Sequence, residues 1–384
     1  MDVPNARARP RHPQLADLPN EVLFAILAHF STRPPSEVNF HARPSASLTH
    51  SASVPLKSLS LTSCQLRALV LPLLFTYARL DPTVSVSFIN FLATHKLANH
   101  VLSVVAHLEG PATHLHPVWW STILTSLPAL KSLTLLCPPY VLAEIAGISI
   151  IDTDSWVFNM PYQILRLSHP ADEVSTLLPA HHPTSLLSAR RWTRLAINEG
   201  SSLKAYSSYE YFLRQTPSLI NSLSKLLPRF HTPMVPAPAP LLPRLTSVTY
   251  TAIFPFFNHV SSFLIFARHG PAITELAISL CSDPLSKVIE DELADAKGHI
   301  DINDAWMEWE TSWSLIGRNV SEMEGLQLFE TRDVRVEGVR EDLIEGLEEA
   351  LGSEWMRSGE GRWVKRKKEK EEADGRPNSK SSVS

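Results

Sequence analysis

Apolar positions change their period near residue 80. Before it they recur at helical spacing: Val22, Leu23, Ile26, Leu27 and Phe30 fall on one side, and Leu66, Leu69, Val70, Leu73 and Leu74 repeat the pattern. Pro19 suits the start of the first helix, where its missing N–H is no loss and its φ is already helical. Glu21 then faces the positive end of the helix dipole. Pro72 should kink the second run or split it into two short helices. Between the runs, Ser31 to Val54 is rich in Pro, Ser and His and reads as an inserted loop that buries little.

Beyond residue 80, after a short extended exit at Tyr77–Leu80, short apolar runs read as strands. They are Leu102–Leu108, Leu130–Leu136, Ile164–Leu167, Trp192–Ile197, Leu245–Tyr250 and Ile273–Ile278, with a weaker one at Gly325–Phe329. Their centres are spaced by one unit of about 28–32 residues or somewhat under twice that, near the longest leucine-rich repeats. Helix-like runs precede several of them. Trp119, Trp120, Ile123, Leu124 and Leu127 stop at Pro128; Leu219, Leu223, Leu226 and Leu227 stop at Pro228; Phe256, Phe257, Val260, Phe263 and Leu264 lead into the Leu276 strand. Helix, turn and strand in repetition is the pattern of a β–α solenoid. An ordinary α/β domain with incidental spacing is the other reading. Pro233–Pro240 should be extended, polyproline-like chain.

Two stretches resemble known families. Leu18, Pro19, Glu21, Val22, Leu23 and Ile26 match the opening Leu-Pro-x-Glu helix of the F-box in its fungal form, and Leu71–Phe75 resembles that family's Leu-Pro-Leu-Leu-Phe phrase. The aromatic often found where Leu66 stands is absent, and the segment from Ser31 to Val54 separates the two halves. The phrase Leu127–Leu135 is similar to a leucine-rich repeat unit, without the regular asparagine ladder.

The expected fold is therefore α+β overall: a small all-α F-box module followed by an irregular β–α solenoid of leucine-rich-repeat type. Residues 1–14 form a disordered N-terminus, and 15–80 the F-box-like module with its inserted loop at 31–54. Residues 81–357 form the target-binding domain, and 358–384 a disordered charged tail. The resemblance implies a substrate-recognition subunit of an SCF-type ubiquitin ligase, itself without catalysis. Leu18, Pro19, Glu21, Val22 and Ile26 would contact the Skp-type adaptor of the cullin ligase, and helical spacing adds Leu66 and Leu69. In the repeat domain, alternation along strands turns Leu133, Leu135, Leu165, Leu167, Leu195, Ile197, Leu276 and Ile278 inward. Ser132, Thr134, Arg166, Arg194 and Glu275 are then left facing out, as a polar strip that could hold an unidentified protein target.

Composition narrows the alternatives. The chain has 384 residues, 44% hydrophobic and 19% charged, enough to bury a sizeable core, and its formal net charge of −4 offers no whole-chain attraction to nucleic acid or anionic membrane. Cys64, Cys137 and Cys281 lie far apart, which is neither a disulfide framework nor a zinc site. Cys64 reads as inert packing in an apolar helix. With no secretory leader and no apolar run near the roughly 20 residues that span a bilayer, the expected location is cytoplasmic or nuclear. Lys365–Lys370 resembles a nuclear-import patch, or is a solvated charge run.

Catalytic signals are thin. There is no Gly-rich phosphate loop and no Gly-x-Ser-x-Gly elbow, so no cofactor is expected, and an α/β hydrolase-like enzyme lacks its usual local signature. Of the 16 histidines, His107, His114 and His116, or His181 and His182, are the foremost metal candidates, and no metal is expected. Asp301–Asp304 lacks the glycine and glutamate of an EF-hand loop. A repeat-type binding protein with no ligase role is the remaining alternative. Trp306, Trp309 and Trp313 form a helical stripe that is either core or a peptide-binding surface, and Leu343, Ile344, Leu347, Leu351 and Trp355 mark a last amphipathic helix.

Overall fold

The computed structural model describes residue 15 and residues 18–366, apart from 31–32, 51–52, 111–115, 170–184, 226–241, 271, 283–285 and 298. The expected N-terminal disorder, the polyproline stretch, His114, His181, His182 and the tail beyond 366 lie outside the described residues. Within them the chain is mixed α/β, with twelve α-helices and one ten-stranded sheet.

The first four helices are α1 (Asn20–Ala28), α2 (Pro35–Val38), α3 (Val54–Ser60) and α4 (Cys64–Thr76). Ser63 caps α4, its hydroxyl accepting from Leu66 N at 3.1 Å. Pro72 does not split this helix, which runs through it unbroken. Leu66, Leu69 and Val70 are buried ahead of the proline, and Leu73 and Leu74 pack on the same cluster behind it. Tertiary packing on both sides offsets the lost backbone bond. Leu23, Leu27 and Leu56 complete this small cluster, separate from the main core.

The sheet comprises β1 (Tyr77–Leu80), β2 (Ser103–His107), β3 (Ser132–Cys137), β4 (Gln163–Ser168), β5 (Arg194–Ser201), β6 (Ser247–Ile253), β7 (Glu275–Ser279), β8 (Leu328–Thr331), β9 (Trp355–Gly359) and β10 (Arg362–Lys365). Strands lie in chain order except that β10 sits between β8 and β9. Pairing is parallel from β1 to β3 and from β5 to β8, but β4 runs antiparallel to both neighbours. The connections between the strands carry α5 (Ser85–Thr94), α6 (Pro117–Thr125), α7 (Pro139–Ala146), α8 (Leu219–Lys225), α9 (Phe257–His269), α10 (Val288–Asp295), α11 (Ile302–Glu322) and α12 (Arg340–Leu351). Helices and alternate strand residues share one large core on one sheet face, and the eight strand residues expected to point inward all lie in it. The α4 helix passes directly into β1, whose Ala78 and Leu80 belong to this large core. The boundary expected at residue 80 therefore falls inside the sheet.

Three further expectations are corrected. Residues 358–366 are not tail: β9 and β10 close the sheet as an antiparallel hairpin, held by the buried Trp355 and Trp363. Gly361 turns that hairpin at φ 63°, where any added Cβ would run into the Thr331 carbonyl. Cys64 is exposed, not packed. The span from 31 to 54 is no idle loop, because Ser36, Phe40, Leu48 and Thr49 are buried. Its residues 33–50 cross the sheet face opposite the helices.

The tryptophan stripe of α11 is largely core: Trp309 and Trp313 are buried, and both indoles donate to Asp333 Oδ2, at 3.0 and 3.1 Å. Gly317 lets α12 approach α11 closely, since an added Cβ would sit 2.7 Å from that of Ala350. At the other end, the buried Arg190 donates to the carbonyls of Leu124, Leu127 and Leu130, ending α6 and the turn after it. Cations suit a helix C-terminus, where unpaired carbonyls gather.

Candidate functional site

On α1, Pro19, Glu21 and Val22 are exposed, and Leu18 and Ile26 half-buried. Phe24 and Phe30, which sequence reasoning did not assign to a site, are exposed too; Val22 is 43% and Phe24 42% accessible. Leu61, at the end of α3, stands 81% exposed. Leu66 and Leu69 are different. Both are buried against Leu23 and Leu27, so they hold the helices together and offer nothing to a partner. Helical spacing marked them as apolar, but only the neighbouring helices decide whether an apolar stripe faces in or out. The result is a helical cluster with its own small core and an exposed apolar rim.

The polar strip expected on the sheet is divided. At its lower end Arg194 and Glu275 are accessible and face each other at 3.6 Å, with Ser132 half-buried nearby in the sheet order. Thr134 and Arg166 are covered. Arg166 Nε donates to Thr134 Oγ1 at 3.1 Å, its guanidinium donates to the Ser36 carbonyl, and it lies 4.8 Å over the Phe40 ring. Burial pulls the Arg166 pKa down, partly offset by Glu37.

Residues 33–50 make this cover. Phe40 and Leu48 pack on Leu136 and Ile164, the strand residues that face away from the helices. Asn198 Nδ2 donates to the carbonyls of Phe40 and Ala42, at 2.6 and 2.8 Å. His41 Nδ1 lies 2.8 Å from Thr251 Oγ1, and Arg43 lies 3.6 Å from Glu292. Ser201 Oγ donates to Glu292 at 2.7 Å, while burial raises the carboxyl pKa. A cleft of about 270 Å³ remains where this segment, α3, α4 and β1 meet. The sequence signal was Phe40 and Leu48 set among polar residues, too sparse to predict packing.

A buried polar cluster sits on the helix side. Glu199 accepts from Ser218 Oγ at 2.5 Å and from Tyr250 OH at 3.2 Å, and His259 Nε2 lies 2.5 Å away. Glu199, Ser218 and His259 are each at most 2% accessible. Here the carboxylate stands between serine and histidine, whereas a hydrolytic triad needs the histidine between the other two. The cluster binds β5, β6 and α9 together. Among the described residues no group of three histidine, cysteine or acidic side chains is placed to hold a metal ion, and no helix is long and apolar enough to cross a membrane. His107 pairs with Glu109 at 3.5 Å, and Asp301 caps α11, accepting from Asn303 N at 2.9 Å.

Compared with known proteins, the chain matches no family model, no curated protein and no solved structure.

Proposed function

We propose that this chain is a target-recruiting subunit of an SCF-type ubiquitin ligase. An F-box-like module comprising α1, α3 and α4 docks the Skp-type adaptor, and the sheet-containing body, read as an irregular leucine-rich-repeat-like solenoid, presents a target protein. The observation that carries this reading is the apolar rim of α1. Pro19, Val22 and Phe24 remain exposed on a helix whose other side already fills a core with Leu23 and Leu27. Exposed apolar residues gathered on one short element mark a protein contact. The α1 residues that match the F-box motif, Leu18, Pro19, Glu21, Val22 and Ile26, are all at least partly accessible, as docking requires.

The chain itself performs no bond chemistry in this role. It raises the effective concentration of target lysines near the charged ubiquitin carrier held by the ligase. The continuous passage from α4 into β1 supports that task, because a rigid link fixes the distance between adaptor and target. The test is co-purification of the full chain with a purified Skp-type adaptor, for wild type and for Val22→Asp with Phe24→Asp. Capture by wild type and its loss in the double variant support the proposal. No capture by wild type defeats it.

A further inference from the structure

A second exposed apolar surface lies far from α1 in sequence, where four segments of the main body converge. Trp156, on the loop before β4, is 68% exposed, and Tyr209, on the loop after β5, is 89% exposed. Phe212 and Leu213 on the same loop, and Phe257 at the start of α9, are exposed as well. The segments are fastened to one another. Arg214 lies 3.4 Å from Asp154, and Gln215 N donates to the same carboxylate at 2.9 Å. Asn258 Nδ2 donates to the Phe212 carbonyl at 3.5 Å, and Phe257 N donates to Glu308 of α11 at 2.6 Å. Tyr211 meets Phe212 edge to face and Phe256 at a tilt, with centroids 5.9 and 5.5 Å away. The aromatic side chains are thus displayed on a rigid base, not on a free loop.

The rim is acidic. The Tyr211 hydroxyl pKa is pushed up, first by burial and then by the negative charges of Asp304, Glu308 and Asp301. Glu210 stands exposed beside it. Of the two basic residues on the loop from 203 to 216, Arg214 is already paired with Asp154, and Lys204 is exposed. Within the molecule, one cation already uses this surface: the Arg214 guanidinium sits 5.4 Å from the centroid of the Trp156 ring. Aromatic faces attract cations through their quadrupole, and neighbouring carboxylates strengthen that attraction.

We propose that this aromatic, acid-rimmed surface is the target-docking site, and that it takes a protein segment in which Lys or Arg alternates with apolar residues. The proposal rests on the recruiting role for its biological meaning, but its physical content is independent of the adaptor. It also relocates target capture away from the sheet strip, where residues 33–50 already cover two of the five residues, Thr134 and Arg166. Apolar side chains of the segment pack on Phe212, Leu213 and Phe257, while its cations meet the exposed rings and the carboxylates of Asp301 and Asp304.

The test is selection of peptides from a random displayed library by the purified full chain, followed by titration of the best synthetic peptide. The expected sequences are enriched in Lys or Arg next to apolar residues. Phe212→Ala and, separately, Asp304→Lys should each weaken that peptide at least tenfold, with thermal unfolding unchanged, whereas Arg194→Glu on the sheet strip should leave it unaltered. If either variant unfolds, Tyr209→Ala, at a still more exposed position, takes its place. Neutral or acidic consensus peptides, equal binding by all variants, or loss only with Arg194→Glu would overturn the proposal. So would sedimentation showing that the surface is buried in a dimer of this chain that Phe212→Ala dissociates. Loss of adaptor capture with peptide binding intact would instead fault the ligase reading alone.

Discussion

The side-chain amide of Asn198 donates to the backbone carbonyl of Phe40 at 2.6 Å, across 158 positions of sequence. This one bond explains why the segment from 33 to 50 cannot be treated as a spacer. Its Phe40 and Ala42 carbonyls both accept from that strand residue, and Phe40 packs with Leu136 and Ile164.

Phe40→Ala should destabilise the protein by about 3–5 kcal/mol, the usual cost of emptying an aromatic site in a core. Asn198→Ala should cost about 1–3 kcal/mol, because one buried and one partly buried carbonyl lose their donor. Urea denaturation of the full chain measures both. Replacing 33–50 with a Gly/Ser linker should lower stability by more than either; unchanged unfolding would show that the cover contributes nothing.

The exposed apolar residues of α1 and the buried Leu66 of α4 should separate experimentally. Val22→Asp with Phe24→Asp is expected to abolish adaptor capture while leaving the unfolding midpoint nearly unchanged, since both side chains are exposed. Leu66→Ala should instead cost about 2–5 kcal/mol of stability, because Leu66 lies in the small core. An unfolding midpoint unmoved by Leu66→Ala would contradict that placement.

Asp333 carries a dependence on pH. It is fully enclosed, and burial raises its pKa from 3.8 to about 6 even though Leu280 N, Cys281 N and the two indoles donate to it. The stability linked to this raised pKa is fully present below about pH 4 and is lost as pH rises through about 6. Relative to Asp333→Asn, wild type should therefore lose about 3 kcal/mol between those limits, at roughly 1.4 kcal/mol per pKa unit. Chemical denaturation of both proteins at pH 4, 5, 6 and 7 gives the difference curve, and a flat curve would remove Asp333 as its source. Asp333→Ala should cost about 3 kcal/mol or more at any pH, since it strands several buried N–H donors.

Arg190→Met should destabilise by about 2–3 kcal/mol, because the three carbonyls of Leu124, Leu127 and Leu130 lose charged donors in a buried site. Burial already pulls the guanidinium pKa down to about 10, and among the described residues its hydrogen bonds go to those carbonyls. Hydrogen exchange in α6 should rise in the variant; protection equal to wild type would show that the helix end is held elsewhere.

Charge reversal on the sheet face should also divide. Arg166→Glu is expected to unfold the cover by placing a carboxylate against the Ser36 carbonyl, whereas Arg194→Glu should change stability by less than about 1 kcal/mol at its exposed pair with Glu275. Equal thermal shifts for the two would refute the distinction.

The sequence by itself determined many of the local elements. Alternation at Leu133 and Leu135, or at Leu276 and Ile278, specifies both a strand and its buried side, because a strand residue's direction follows from its parity alone. Helical spacing likewise placed α1, α4 and α12, except that Trp355, counted with the last helix, begins β9 instead. Tertiary structure decided what no local period encodes. It fixed the reversed direction of β4, the closure of the sheet by Trp355 and Trp363 within a charged stretch, and the choice of α1 residues left outside a core. Above all it laid residues 33–50 over Arg166 and Asn198, partners more than a hundred positions away. Their polar composition suits water equally well, and only a facing donor, guanidinium or apolar floor makes burial favourable.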